Sequence, residues 1–146
     1  MKYFYFTTAI IAVIQWNMNF AQNFSGRYSM QTDTAKDSKK VIINDIELSK
    51  EQIQELVKMY GIKPLSGNYW YDTKSGLYGV EDNPAYGFMY PGHNFGRLRR
   101  DASGGNTGVV VNGRELPQSE WAIWSYILGY WIQPGYYWFD SKGNAG

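Results

Sequence analysis

Cysteine is absent from this chain of 146 residues. Its absence excludes a disulfide scaffold and any thiolate-bound zinc or iron–sulfur centre. Histidine occurs once, at His93, so neither a histidine-rich metal site nor a paired-histidine mechanism is available, and no metal or cofactor is expected. An excess of either charge is also missing. Lys and Arg number 14 against 13 Asp and Glu, which leaves no basic field of the kind that nucleic-acid binding requires. No apolar run reaches the roughly 20 residues of a comfortable membrane span. What the chain has in abundance is aromatic side chains, 7 Phe, 6 Trp and 13 Tyr, together with 16 Gly. Its length leaves room for one ordinary domain.

The first residues have the form of an export signal. Lys2 supplies a charged start, Tyr3 to Trp16 is almost entirely apolar around Ala9–Ile14, and a more polar stretch containing Ala21 follows. On this pattern residues 1–22 form a signal peptide cut near 21–22. The remaining chain is exported, to a periplasm or beyond, and has no membrane segment of its own. Removing these residues takes away Lys2 and no acid, so the rest carries 13 basic and 13 acidic side chains. Residues 23–40 are polar, show no sustained period and read as a linker.

From Val41 onward the chain resembles itself. A shift of 68 residues aligns Val41–Lys74 with Val109–Lys142 without a gap. Val41, Asn44, Glu47, Leu48, Gly61, Gly67, Tyr69, Trp70, Asp72 and Lys74 then coincide with Val109, Asn112, Glu115, Leu116, Gly129, Gly135, Tyr137, Trp138, Asp140 and Lys142. After a one-residue gap, Gly76 and Gly79 coincide with Gly143 and Gly146. Each stretch opens on a β-branched run and a tight turn, Asn44-Asp45 or Asn112-Gly113. The second of these suits a type I′ hairpin because both residues tolerate positive φ. A helix follows. In the first stretch Ser49 and Gln52 form a capping box, Ile53, Leu56, Val57 and Tyr60 recur on one face, and Gly61 ends the helix. In the second, Pro117 stands near the first turn, and Trp121, Trp124 and Leu128 take the matching face. Ala122, Ile123, Tyr126 and Ile127 make this helix apolar nearly all round, as expected of a central helix or of one that meets a partner.

Each stretch closes on an aromatic strand, Gly67–Asp72 or Gly135–Asp140. Alternation puts Tyr69 and Tyr71 on one face, and Trp70 and Asp72 on the other. A turn such as Asp72-Thr73-Lys74-Ser75-Gly76 uses the Asp side chain to accept backbone N–H groups. Between the copies, Val80–Gly108 is rich in Gly, Asn and Asp, with a marked loop at Asp101–Gly108. The expected fold class is therefore α+β. It consists of one domain over 41–146 with an internal repeat (41–79 and 109–146), built as two β-hairpin–helix–strand units sharing one antiparallel sheet with both helices on one face.

The segments GNYWYDTKSGLYG (67–79), DASGGNTGVVVNGREL (101–116) and PGYYWFDSKGNAG (134–146) together resemble a group of bacterial exported proteins. These carry a Gly-x-Tyr-Trp-x-Asp element twice around a Thr-Gly-Val-x-Val-Asn-Gly-Arg-x-Leu segment. The resemblance spans roughly residues 41–146 and implies export, but no activity and no ligand.

Catalytic chemistry has slender support. His93, Asp101 and Ser103 are the residue types of a hydrolase triad, without the spacing of a nucleophile elbow. The glycine-rich loop matches neither a dinucleotide fingerprint nor a Walker sequence. Arg97, Arg99 and Arg100 form the one local basic cluster, most simply a solvated loop. Trp70 and Asp72, Trp138 and Asp140, with Tyr69 and Tyr137, pair a flat stacking surface with an acceptor, as binding sites for sugars and proteins do. The expected function is a non-enzymatic exported module that uses these repeated aromatic–Asp faces to hold an envelope glycan, a peptide or a protein. The alternatives are an assembly protein oligomerising through 121–130, or a small hydrolase using the 93–103 loop.

Overall fold

The computed structural model describes residues 40–146, which lie in one compact unit. The signal segment 1–22 and all of the linker except Lys40 lie outside the described residues. The elements run β1 (Val41–Ile43), β2 (Ile46–Glu47), α1 (Lys50–Tyr60), β3 (Gly67–Tyr71), β4 (Leu77–Val80), β5 (Gly87–Phe88), β6 (Val109–Val111), β7 (Arg114–Glu115), α2 (Gln118–Leu128) and β8 (Gly135–Tyr137). The class is α+β. The expected single antiparallel sheet is replaced by two sheets of mixed strands, a five-stranded one ordered β2-β1-β3-β4-β5 and a three-stranded one ordered β7-β6-β8. The reason lies in the connections. A two-residue turn returns the chain antiparallel, as between β1 and β2. A helix carries it back to the same end, so β3 joins β1 in parallel.

The two sheets share their geometry in detail. Val41, Ile42 and Ile43 pair with Gly67, Asn68 and Tyr69, and Val109, Val110 and Val111 pair with Gly135, Tyr136 and Tyr137. Both hairpin turns are left-handed at both positions: Asn44 and Asp45 have φ 47° and 66°, and Asn112 and Gly113 have 53° and 93°. Asparagine tolerates that conformation, and its amide then does a second task. Asn44 Nδ2 donates to Tyr71 O at 2.8 Å, and its Oδ1 accepts from Tyr71 N at 3.0 Å. Asn112 does the same with Phe139. A side-chain amide thus extends each parallel ladder beyond the point where the backbone turns away.

Helix α1 starts at Ser49, whose Oγ accepts from Gln52 N while Gln52 Oε1 accepts from Ser49 N, and it ends at Gly61 in the left-handed conformation. Its inner face is Leu56 flanked by Ile53 and Tyr60, with Val57 at the rim. These pack on Val41, Ile43, Leu48, Tyr71 and Phe95. Helix α2 follows Pro117 and stops at Gly129. It is not the central core helix that its composition suggested. Its buried residues are Glu120 and Ser125, and Tyr126 is 88% exposed. The apolar residues on its remaining faces are half-buried, because the segment after the helix folds back along it. Trp121 Nε1 donates to Ile132 O at 2.8 Å, and its ring lies 4.9 Å from that of Trp131.

Candidate functional site

The most tightly built cluster joins residues from both sheets, and the sequence pattern did not single out its charged members. Trp70 of β3 is 1% exposed and donates its indole N–H to Asn83 O at 3.0 Å. The Arg114 guanidinium of β7 lies over the Trp70 ring, 4.1 Å from its centroid. Arg114 forks onto Glu120 in the first turn of α2, Nη1 to Oε2 at 2.9 Å and Nη2 to Oε1 at 2.7 Å. Ser103 Oγ accepts a third bond from Arg114 at 2.8 Å and donates to Glu115 O. Glu120 also accepts from Ala85 N. Burial would push the Glu120 carboxyl up, but the Arg114 charge and the bonds it receives outweigh burial and hold it below the usual range. The signals available in the sequence were Arg114 and Glu120 six residues apart across a turn. That spacing is unremarkable until the hairpin and the helix start are placed together.

The aromatic–Asp residues divide unequally. Asp72 is buried and accepts from Lys74 N, Ser75 Oγ and Asn112 Nδ2, the last at 2.6 Å. Trp70 and Asp72 are thus joined to Arg114 and Asn112 of the second hairpin, inside the fold. Trp138 is 48% exposed. Asp140 accepts from Lys142 N, Asn144 N and Asn144 Nδ2, and these bonds, led by those of Asn144, hold its carboxyl below the usual range. Tyr69 and Tyr137 are half-buried and donate to Leu65 O and Gln133 O, each to the residue four positions earlier.

The three residues of the hydrolase reading each bond to other partners. Ser103 is fully buried on Arg114 and Glu115. Asp101 lies against Arg99. His93 Nε2 bonds the Tyr60 hydroxyl at 2.7 Å, and its ring stacks on Phe95 with centroids 4.9 Å apart. Burial pushes the His93 imidazole below its usual range. No hydrogen bond joins any two of His93, Asp101 and Ser103 among the described residues, so the pattern assembles no nucleophile and base.

A cleft of about 660 Å³ runs between the turn after β3, the 96–101 segment and the β6–β7 turn. Lys74, Arg97, Arg99 and Arg100 line it, with Asp72 and Asp101. Two of the arginines are neutralised within the fold. Arg99 faces Asp45, Glu81 and Asp101, and Arg100 pairs with Glu115 at 2.9 Å. Lys74 and Arg97 are exposed and take no part in an ion pair among the described residues. Among the described residues no group of acids and His93 is arranged to hold a metal ion, and no helix is long and apolar enough to cross a membrane.

No family model matches the chain, and no solved structure matches it significantly. Two proteins of Arabidopsis thaliana are similar to it. Extra-large guanine nucleotide-binding protein 1 is 45% identical over 60 residues, which is 40% of this chain and 6% of the relative. Extra-large guanine nucleotide-binding protein 2 is 27% identical over 112 residues, which is 73% of this chain and 13% of the relative. The chain thus spans a small part of each. These plant relatives overturn the resemblance to bacterial exported proteins and the function read from it. An exported, secreted or periplasmic module with a signal peptide and an envelope glycan or protein as partner does not fit them.

Proposed function

We propose that residues 40–146 form a recognition module of a eukaryotic signalling protein. The module contacts a guanine nucleotide-binding protein and holds no nucleotide itself. The observation that carries this reading is the match to a short stretch of two proteins named for guanine-nucleotide binding. A phosphate-binding loop needs a Gly-rich turn ending in Gly-Lys-Ser/Thr between a strand and a helix, and the chain contains no such sequence. The cleft offers a different means of contact. Lys74 and Arg97 line it, exposed and without an ion pair among the described residues, and half-buried Leu98 lies between the arginines, an arrangement suited to an acidic protein surface with an apolar neighbour.

The test is a pair of titrations of the full chain. One uses a fluorescent GTP analogue. The other uses extra-large guanine nucleotide-binding protein 1 of Arabidopsis thaliana with its matching 60 residues deleted. The expected result is no saturable nucleotide binding and a saturable protein complex that the Lys74→Glu/Arg97→Glu variant loses. Saturable nucleotide binding, or no complex with the protein, overturns the proposal.

A further inference from the structure

Trp70 and Trp138 stand in the same backbone frame, but only one of them is covered. Each follows the last paired residue of a parallel ladder, Tyr69 opposite Ile43 and Tyr137 opposite Val111. Each precedes the residue clamped by a turn asparagine, Asn44 on Tyr71 and Asn112 on Phe139. Each has a glycine against its ring: a Cβ on Gly79 would come within 2.7 Å of Trp70, and one on Gly146 within 2.8 Å of Trp138. Each is followed two residues on by an aspartate that accepts from a lysine N–H, Lys74 or Lys142.

What covers Trp70 is the β6–β7 hairpin. Its Arg114 lies over the ring, and its Asn112 donates to Asp72 Oδ2. Asp72 Oδ2 receives a second bond, from Ser75 Oγ. At Asp140 the corresponding Oδ2 takes one bond, from Asn144 Nδ2, and no second one among the described residues. Among the described residues, no cation lies over Trp138, and its indole N–H has no hydrogen bond.

We infer that Trp138 and Asp140 form a docking site for a β-hairpin of a partner protein that carries an Asn-Gly-Arg turn. The arginine stacks on Trp138 and the asparagine donates to Asp140. The Asn112–Arg114 hairpin, seated on Trp70 and Asp72, is the template. A guanidinium on an exposed indole is a favourable contact, and the asparagine bond to a carboxylate fixes the register. The partner is not a second copy of this chain, because its own Arg114 is 2% exposed and committed to Glu120. The other hairpin, Asn44-Asp45-Ile46, carries no arginine. This site uses neither Lys74 nor Arg97, and it holds whether or not the partner is a guanine nucleotide-binding protein.

The test uses the full chain and a cyclised peptide of residues 109–116, Val-Val-Val-Asn-Gly-Arg-Glu-Leu, followed by two-dimensional NMR of the indole N–H signals. Saturable binding that shifts the Trp138 indole signal is expected. It should weaken at least about tenfold with Trp138→Ala, with Asp140→Asn, and with the peptide in which Arg is replaced by Ala, the loss of one good charge-assisted or stacking contact. The peptide change leaves the protein untouched, so it decides the matter even if a variant misfolds. No saturable binding at millimolar peptide overturns the inference. So does binding that survives both Trp138→Ala and loss of the peptide arginine.

Discussion

The Arg114–Glu120 pair makes a quantitative demand on the fold. Arg114→Leu removes two bonds to Glu120, one to Ser103 and the stacking on Trp70. It leaves the Glu120 carboxylate 5% exposed, with Ala85 N and Trp124 as remaining donors. Orphaning one member of a buried pair costs about 3–5 kcal/mol, and Glu120→Leu should cost a similar amount by leaving the guanidinium unmatched. The double variant Arg114→Leu/Glu120→Leu leaves neither charge of this pair unmatched. Its residual cost comes from the Ala85 N–H and Ser103 Oγ, which lose partners, and should be about 1–3 kcal/mol. The expected coupling between the two sites is therefore several kcal/mol, read by urea unfolding followed through tryptophan fluorescence. Acid titration of the wild type should agree in sign. Glu120 is held below its ordinary value of 4.5, so its contribution is complete above that pH and is lost as pH falls through the folded-state value. Additive costs in the double variant would refute the reasoning, because they would mean that the two side chains do not depend on each other.

Three further outcomes follow from the same geometry. Asn44→Asp removes the donor to Tyr71 O and buries a carboxylate, so thermal unfolding should show a loss of about 3 kcal/mol. Asn112→Asp should cost more, because it sets a second carboxylate against Asp72. His93 is the only imidazole, and burial holds it below its ordinary value of 6.5, so stability should be complete above that pH and fall as the pH drops below it. A single titrating imidazole signal in NMR should show the low value; a wild-type value at or above 6.5 would refute this. Trp70→Ala should cost about 3–5 kcal/mol as a core truncation, whereas Trp138→Ala should cost a fraction of that because the ring is already half in water. Denaturant midpoints of the two variants compare them directly.

The parts of the fold legible in the sequence are those set by neighbours along the chain. The β-branched runs, the Asn-Gly turn, the Ser49–Gln52 box and the stops at Gly61 and Gly129 are short-range signals, and each appears where expected. Sheet organisation was less legible. The same elements could close one antiparallel sheet or two mixed ones, and the choice rests on how each helix returns the chain, which no local period encodes. Helix α2 shows the same limit: its apolar circumference suggested full burial, yet a composition records only what a helix can bury, and Tyr126 stays in water.

The candidate site shows where local reading stops most clearly. Trp70 and Trp138 share their period, the tyrosine before them, the aspartate two residues on and their place after the parallel ladder. Their different exposure is decided at a distance. Past Gly79 the chain continues through Asn83, which receives the Trp70 indole N–H, and then supplies Arg114 from a hairpin 44 positions downstream of Trp70 (114 minus 70). Asp72 likewise spends its acceptor on Asn112, 40 residues away. A repeated motif therefore states which contacts a unit can make, and the following unit determines which of them are used. In this chain the first Trp–Asp pair became the socket for the second hairpin. The second pair follows its own parallel ladder in the same way, with Trp138 48% exposed.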